Sequence, residues 1–389
     1  MAGKIVSDDI VSDDIYTQLV HHLTAVGMAL PPRPELEELL RAVFTPQDAE
    51  LALLLPAGGL PLEVTGVDEI AARVGGDAAE LRLRLEDLAA RGLLFSAPGP
   101  DGEKGYALHQ VGFGFPQTFF WKGEETPEAA AMATLVARYF NREVTRQAYG
   151  GTSTKPYRYV PIDRALEPEV QAVLPAHAME PLLERAESFA LAHCPCRVGL
   201  KLRGRACEHP LDVCMKFDDL AEYLIERGLG RAIDRAEARR VVHRSAAAGL
   251  VHFVDNAEGP AKHNCNCCGC ACWNVGSIRR RKIARDDLMA TYFLRTTSEA
   301  CTGCGACARV CPVGAVTLND GRAHVDTDWC IGCGVCVPRC PAKAAGLRPR
   351  SDRELTLAPD FQTLHRRILD ERGVGRGEAY LAGSPTPTA

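Results

Sequence analysis

The stretch CTGCGACARVCP, residues 301–312, has a second copy, CIGCGVCVPRCP, at residues 330–341. Both follow the pattern C-x2-C-x2-C-x3-C-P. They give Cys301, Cys304, Cys307 and Cys311 before Pro312, and Cys330, Cys333, Cys336 and Cys340 before Pro341. A zinc site usually draws on two C-x2-C pairs with a longer gap, and neither the three-cysteine ladder nor the trailing Cys-Pro fits that scheme. Gly303, Gly305, Gly332 and Gly334 allow the backbone tight turns around whatever the thiols hold. Between the copies, AVTLNDGRAHVDTD (315–328) sets two short β runs around Asn319-Asp320-Gly321, a hairpin signal.

Over residues 296–348 these motifs resemble the bacterial two-cluster ferredoxins. The resemblance implies two [4Fe–4S] clusters with crossed ligands, because the fourth cysteine of each run serves the other cluster. Cluster one would take Cys301, Cys304, Cys307 and Cys340, and cluster two Cys330, Cys333, Cys336 and Cys311. Clusters held this way sit close enough to exchange electrons. No cysteine position is missing, which argues against an open iron and against catalysis there. As a whole the chain is similar to uncharacterised multi-cluster 4Fe–4S proteins that join such a domain to a cysteine-rich region.

Nine further cysteines lie upstream: Cys194, Cys196, Cys207 and Cys214 in AHCPCRVGLKLRGRACEHPLDVC, then Cys265, Cys267, Cys268, Cys270 and Cys272 in HNCNCCGCACW (263–273). Adjacent cysteines seldom reach disulfide geometry, so the second run reads as a supply of metal ligands. A third [4Fe–4S] cluster is the first reading and zinc the alternative, since both favour thiolates. Spacing does not say which subset binds: Cys265-x2-Cys268 competes with Cys267-x2-Cys270. His193, His209 and His263 border the thiols and rank behind them as ligands. Arg279, Arg280, Arg281, Lys282 and Arg285 follow directly. They read as a solvated face, as cations offsetting cluster charge, or as a dock for an acidic partner. Between the cysteine groups the pattern is helical over 217–230 and 234–249, with Asp234 and Glu237 in capping-box spacing, then a strand at 250–256.

The bulk properties agree with a redox protein. The chain has 389 residues, 17 cysteines and a net charge of −5, and its first 193 residues contain no cysteine. The N-terminus carries Asp8, Asp9, Asp13 and Asp14 where a signal peptide needs an apolar run. Its repeated IVSDD reads as a frayed end. The longest apolar stretch, 51–62, is broken by Pro and Gly and too short to span a bilayer. A reducing, cytoplasmic compartment is expected, with thiols used for metal.

Residues 45–108 read as three helices followed by a hairpin, which resembles a winged helix. The segment holds eleven acidic and five basic residues, a net of −6. DNA affinity rests on neutralising phosphates with Lys and Arg, so protein docking is expected here, not DNA. Residues 127–140 and 179–192 read as helices, 157–163 as a strand, and Trp121 as core. No nucleotide-binding motif is present; GFGF (112–115) is too little.

The expected architecture is a multidomain α+β chain. It comprises a helical segment (1–44), a winged-helix-like module (45–110), an α+β connection (111–190) and a helical cysteine-rich middle (191–290). The ferredoxin domain (296–348) and a helix with a polar, disordered tail (349–389) complete it. The expected function is electron transfer to a partner oxidoreductase, as a carrier subunit more than a self-sufficient enzyme. The alternatives are an iron–sulfur redox-sensing transcription regulator, or a reductase with an open-site cluster in the middle region.

Overall fold

The cysteine-rich middle is built on a six-stranded antiparallel sheet in the computed structural model. The structure describes residues 14–24, 30–56, 60–74, 77–112, 114–162, 165–166, 175–205, 207–354 and 356–373. The IVSDD repeat, apart from Asp14, and the tail after Gly377 fall outside these residues. The strands run, edge to edge, Tyr157–Val160, Val251–Asp255, His263–Cys267, Asp212–Phe217, Phe189–His193 and Arg231–Ala232. This corrects the expectation of a helical middle. Helices Asp218–Glu226 and Arg235–Ala247 are present, the latter capped by Asp234 accepting from the Glu237 amide at 2.6 Å. They flank the sheet and do not form the scaffold.

Two strands were hidden for identifiable reasons. The expected helix 179–192 stops at Arg185, and Phe189–His193 is a strand paired with Asp212–Phe217. A short apolar run such as FALA fits a buried strand as well as a helix, so periodicity cannot decide it. The polar run HNCNC reads as loop yet forms a strand near the centre of the sheet. It tolerates burial because its amides are satisfied. Asn266 donates to the Val213 carbonyl at 2.7 Å and to Asn264 Oδ1 at 2.9 Å, and pairs with His252 Nδ1 at 2.5 Å.

Alternation along the strands separates two faces. Val213, Met215 and Phe217 pack with Leu182, Leu183, Val241 and Val242 from helices Met179–Arg185 and Arg235–Ala247. The other face carries Cys214 and Lys216 on one strand and His263, Cys265 and Cys267 on the next, with Lys216 opposite His263. Phe253 lies opposite Cys265 and Tyr159 opposite Phe253. Register alone therefore gathers three cysteines, a lysine and a histidine on one surface.

In the N-terminal part, helix Pro46–Leu53 opens with a complete capping box between Thr45 and Asp48. Helices Val67–Val74 and Ala78–Ala90 follow, then strands Leu94–Pro98 and Lys104–Leu108; Thr65–Gly66 adds a third strand beside Lys104–Leu108. This segment packs on helix Asp218–Glu226 of the middle region. Tyr223 donates to the Leu94 carbonyl at 2.9 Å, and Arg227 grips Glu86 at 2.5 and 3.1 Å and Ser96 at 2.7 Å.

The C-terminal cysteine motifs lie between strands Phe293–Thr297 and Ala345–Pro349, which pair with each other. The hairpin Val316–Asn319 with Arg322–Val325 forms as its turn residues predict, with Asp320 and Gly321 both at positive φ. Helix Phe361–Glu371 follows. Among the described residues no helix is long and apolar enough to cross a membrane.

Candidate metal centres

The eight C-terminal cysteines line two cavities. Cys301, Cys304, Cys307 and Cys340 face one of about 290 Å³, and Cys311, Cys330, Cys333 and Cys336 face another of about 330 Å³, open mouths included. The repeated motif places repeated groups. Gly303 and Gly332, both at positive φ, leave room where a Cβ would lie 2.0 Å from the Gly321 carbonyl oxygen and 2.1 Å from that of Phe293. Cys311 accepts from the Ala315 amide at 3.2 Å, and Cys340 accepts from Ala344 at 3.3 Å.

The two cavities differ in exposure. Cys304 is exposed, whereas Cys330 and Cys333 are buried. Burial pushes the Cys333 thiol well up, and Cys336 up to about 12, so these sulfurs stay protonated until a cation holds them. Arg295, itself buried, lines both cavities. Arg285 donates to the Cys330 carbonyl at 2.6 Å.

The nine upstream cysteines divide into two groups. Cys207, Cys268 and Cys270 converge with His209, their ligand atoms all within 4.8 Å of one another. Cys207 Sγ lies 3.1 Å from Cys270 Sγ, 3.8 Å from Cys268 Sγ and 3.4 Å from His209 Nδ1. Metal–sulfur bonds of about 2.3 Å at tetrahedral angles put sulfurs about 3.8 Å apart, so this quartet suits one tetrahedral ion. Burial, then the Arg197 cation, lower His209 and favour the neutral imidazole that ligates.

The other six, Cys194, Cys196, Cys214, Cys265, Cys267 and Cys272, line a single cavity of about 1000 Å³ with its mouth included. They come from four segments. Cys194 and Cys196 begin helix Pro195–Leu202, whose Pro195 sits at the favourable first position. Cys214 lies on one sheet strand and Cys265 and Cys267 on its neighbour, while Cys272 returns from the loop beyond.

Arg197 stands between the two upstream groups. It is buried and donates to the Asn266 carbonyl at 3.1 and 3.2 Å and to Cys268 Sγ at 3.7 Å. Burial opposes its charge, but Cys194, Cys268 and Cys267 together hold its pKa above the ordinary value. His263 pairs with buried Asp255 at 3.1 Å; burial lowers it, and the carboxylate outweighs that, raising it to about 9. His193 is turned to the Trp121 carbonyl at 3.2 Å.

The basic run mostly braces backbone. Arg280 donates to the Cys272 carbonyl at 3.1 Å, and Arg281 to Phe140 and Asn141 carbonyls and the Thr145 hydroxyl. Arg279 and Lys282 are exposed.

Sequence reasoning left His209 behind the thiols and did not single out Arg197, Lys216 or Arg295. The signal for His209 was its place two residues after Cys207, the spacing that also separates Cys268 from Cys270. Nothing local marks the three cations, whose roles come from strand register and helix packing.

Four thiols facing one cavity suit a tetrahedral ion or an iron–sulfur cluster. Residues 293–348 match the family model described as a 4Fe-4S dicluster domain. The match begins three residues before the expected boundary and takes in strand Phe293–Thr297, which closes the domain against Ala345–Pro349. Comparison with curated proteins and with solved structures found no match.

Proposed function

We propose that this protein transfers electrons through two [4Fe–4S] clusters in its C-terminal domain and exchanges them with a partner oxidoreductase. The pair of four-thiol cavities sharing Arg295 carries this reading. Cys301, Cys304, Cys307 and Cys340 would hold one cluster, and Cys330, Cys333, Cys336 and Cys311 the other, as in the crossed scheme of bacterial ferredoxins. Such clusters, when bound, take up and release single electrons. The exposed Cys304 gives the outer site a face for a redox partner. The buried Cys330 and Cys333 keep water from the inner site. The Arg295 and Arg285 cations offset the charge of thiolate-ligated iron in a medium where unpaired charge is costly.

The quartet of Cys207, His209, Cys268 and Cys270 fits structural zinc, which ties the loop after the central strand to the segment after helix Pro195–Leu202. Residues 45–108 read as winged-helix-like, from the order helix, strand, two helices and hairpin. With a net charge of −6 we take the module as a protein contact and not a DNA reader, and part of that contact is made within the chain through Arg227 and Glu86. A reducing cytoplasm suits 17 cysteines used in this way.

The test is an anaerobic redox titration followed by EPR on the full chain and on Cys311→Ser. Two reversible [4Fe–4S] signals are expected, with the Cys311 variant perturbing the cluster of Cys330, Cys333 and Cys336. Damage confined to the cluster of Cys301, Cys304 and Cys307 would sink the crossed assignment.

A further inference from the structure

Six thiols facing one cavity are more than a cubane needs. Strand register and the turn into helix Pro195–Leu202 bring them there from four separate segments. The six are interleaved in sequence with the quartet but separate from it in space. Among the described residues the quartet is the set whose ligand atoms all fall within 4.8 Å of one another. The six are spread instead around the wall of one cavity, as a ring of thiols, which suits a polynuclear centre and not a single ion.

The size of the space sets the scale. The two cavities with four thiols each measure about 290 and 330 Å³, and the six-thiol cavity about 1000 Å³, roughly threefold larger. Its remaining wall includes the aromatic side chains of Trp121, Phe140, Tyr149 and Trp273.

Two donors face into it. The Trp121 indole N–H is buried and has no hydrogen-bond partner. Lys216 is 6% exposed, and its ammonium lies 5.1 Å from the Trp121 ring, facing the same cavity. A buried ammonium without a counter-charge is strongly disfavoured. A sulfide- and thiolate-rich anion supplies both the counter-charge for Lys216 and an acceptor for Trp121. Thiolates select zinc, copper(I) or iron–sulfur, and the ring lacks the close tetrahedral spacing of the quartet.

The cysteine-rich middle also adjoins the inner ferredoxin site. Gly269, in the loop between Cys268 and Cys270, sits where a Cβ would be 2.0 Å from the carbonyl oxygen of Pro312, the residue after Cys311. The Ile162 amide donates to the Cys333 carbonyl at 3.2 Å, and Ile162 follows by three residues Tyr159, on the cavity face of the sheet. Two short stretches of chain thus join the two regions.

We propose that the six-thiol ring binds a third iron–sulfur centre, larger than a cubane, with Lys216 as its counter-charge. This rests on the iron–sulfur reading above. The test is iron, zinc and acid-labile sulfide analysis of the anaerobically reconstituted full chain. More than about twelve irons per chain are expected, about eight of them from two cubanes, together with about one zinc. A count near eight, or a zinc count above one, overturns the site. A count near twelve, with two of the six cysteines replaceable by serine without spectral change, overturns the size. In each single Cys→Ser variant of the ring, the two ferredoxin signals serve as the control: they persist if the chain folds and the C-terminal reading holds. Lys216→Met removes no ligand. It should leave the iron count and the ferredoxin potentials unchanged and make the ring centre harder to reduce. A ring potential that does not move would overturn the role of Lys216.

Discussion

The C-terminal domain and the cysteine-rich middle both gather thiols around cavities, but they do so by different means. In the C-terminal domain one local motif, used twice, places all eight cysteines within residues 301–340, and six of them stand three or four residues from the previous cysteine of the same run. In the middle, neighbours in sequence part company. Cys267 and Cys272 face the large cavity, while Cys268 and Cys270 turn to Cys207 and His209. Strand alternation ends at Cys267, and the loop beyond is free to point elsewhere. A loop that wraps its own metal carries its ligand assignment in its spacing. A strand lends single side chains to a site whose other walls come from distant segments.

The comparison predicts unequal damage from single cysteines. Cys304→Ser should lose the outer cluster, about four irons, and leave the inner one reducible. Cys333→Ser should cost a similar amount of iron and also loosen the contact at Ile162, whose amide donates to the Cys333 carbonyl. Iron analysis and hydrogen exchange of the Tyr157–Val160 strand would show whether the inner variant alone transmits its damage to the sheet.

In the quartet, Cys270→Ser or His209→Ala should remove about one zinc and destabilise the chain by several kcal/mol, since metal binding there is folding free energy. Metal analysis and thermal unfolding check this. Unchanged zinc in both variants would merge the quartet with the ring and dissolve the division drawn between them.

Arg295 is the point where the C-terminal domain departs from pure local design, because one cation lines both cavities. Arg295→Met should make both clusters harder to reduce, by about 1 kcal/mol or roughly 50 mV each. A redox titration in which only one cluster shifts would assign the cation to that cluster alone.

The smallest effect concerns the N-terminal contact. The Arg227 guanidinium, with further help from Tyr106 and Lys104, lowers Glu86 from its ordinary 4.5 to about 2. A carboxyl depressed on folding adds stability at pH above 4.5, and that stability fades as pH falls from there toward 2. Glu86→Gln should therefore melt earlier than the wild type at pH 7, and the gap should narrow below pH 4.5. The side chain is partly exposed, so the gap should be small. A gap independent of pH would mean that packing, not charge, joins the module to helix Asp218–Glu226.

Much of the front half was legible because its signals are local. Its three helices and the hairpin follow in the expected order, and Thr45 with Asp48, and Asp77, cap two of the helices. The sheet of the middle region was not legible. HNCNC carries two asparagines and no strong strand former, and it is a strand because Val251–Asp255 and Asp212–Phe217 take up its hydrogen bonds on either side.

By itself the sequence determined the two four-cysteine runs, the glycines that let them turn, the hairpin between them and the acidic character of residues 45–108. Each is a matter of spacing, side-chain size or charge within a short window. Only the tertiary structure decided that nine cysteines form a quartet and a ring. It also decided that a histidine joins the quartet, and that Lys216, Arg197 and Arg295 come to lie buried beside thiols. Those groups meet through strand register and the packing of separate segments, and neither is encoded in the distance between residues along the chain.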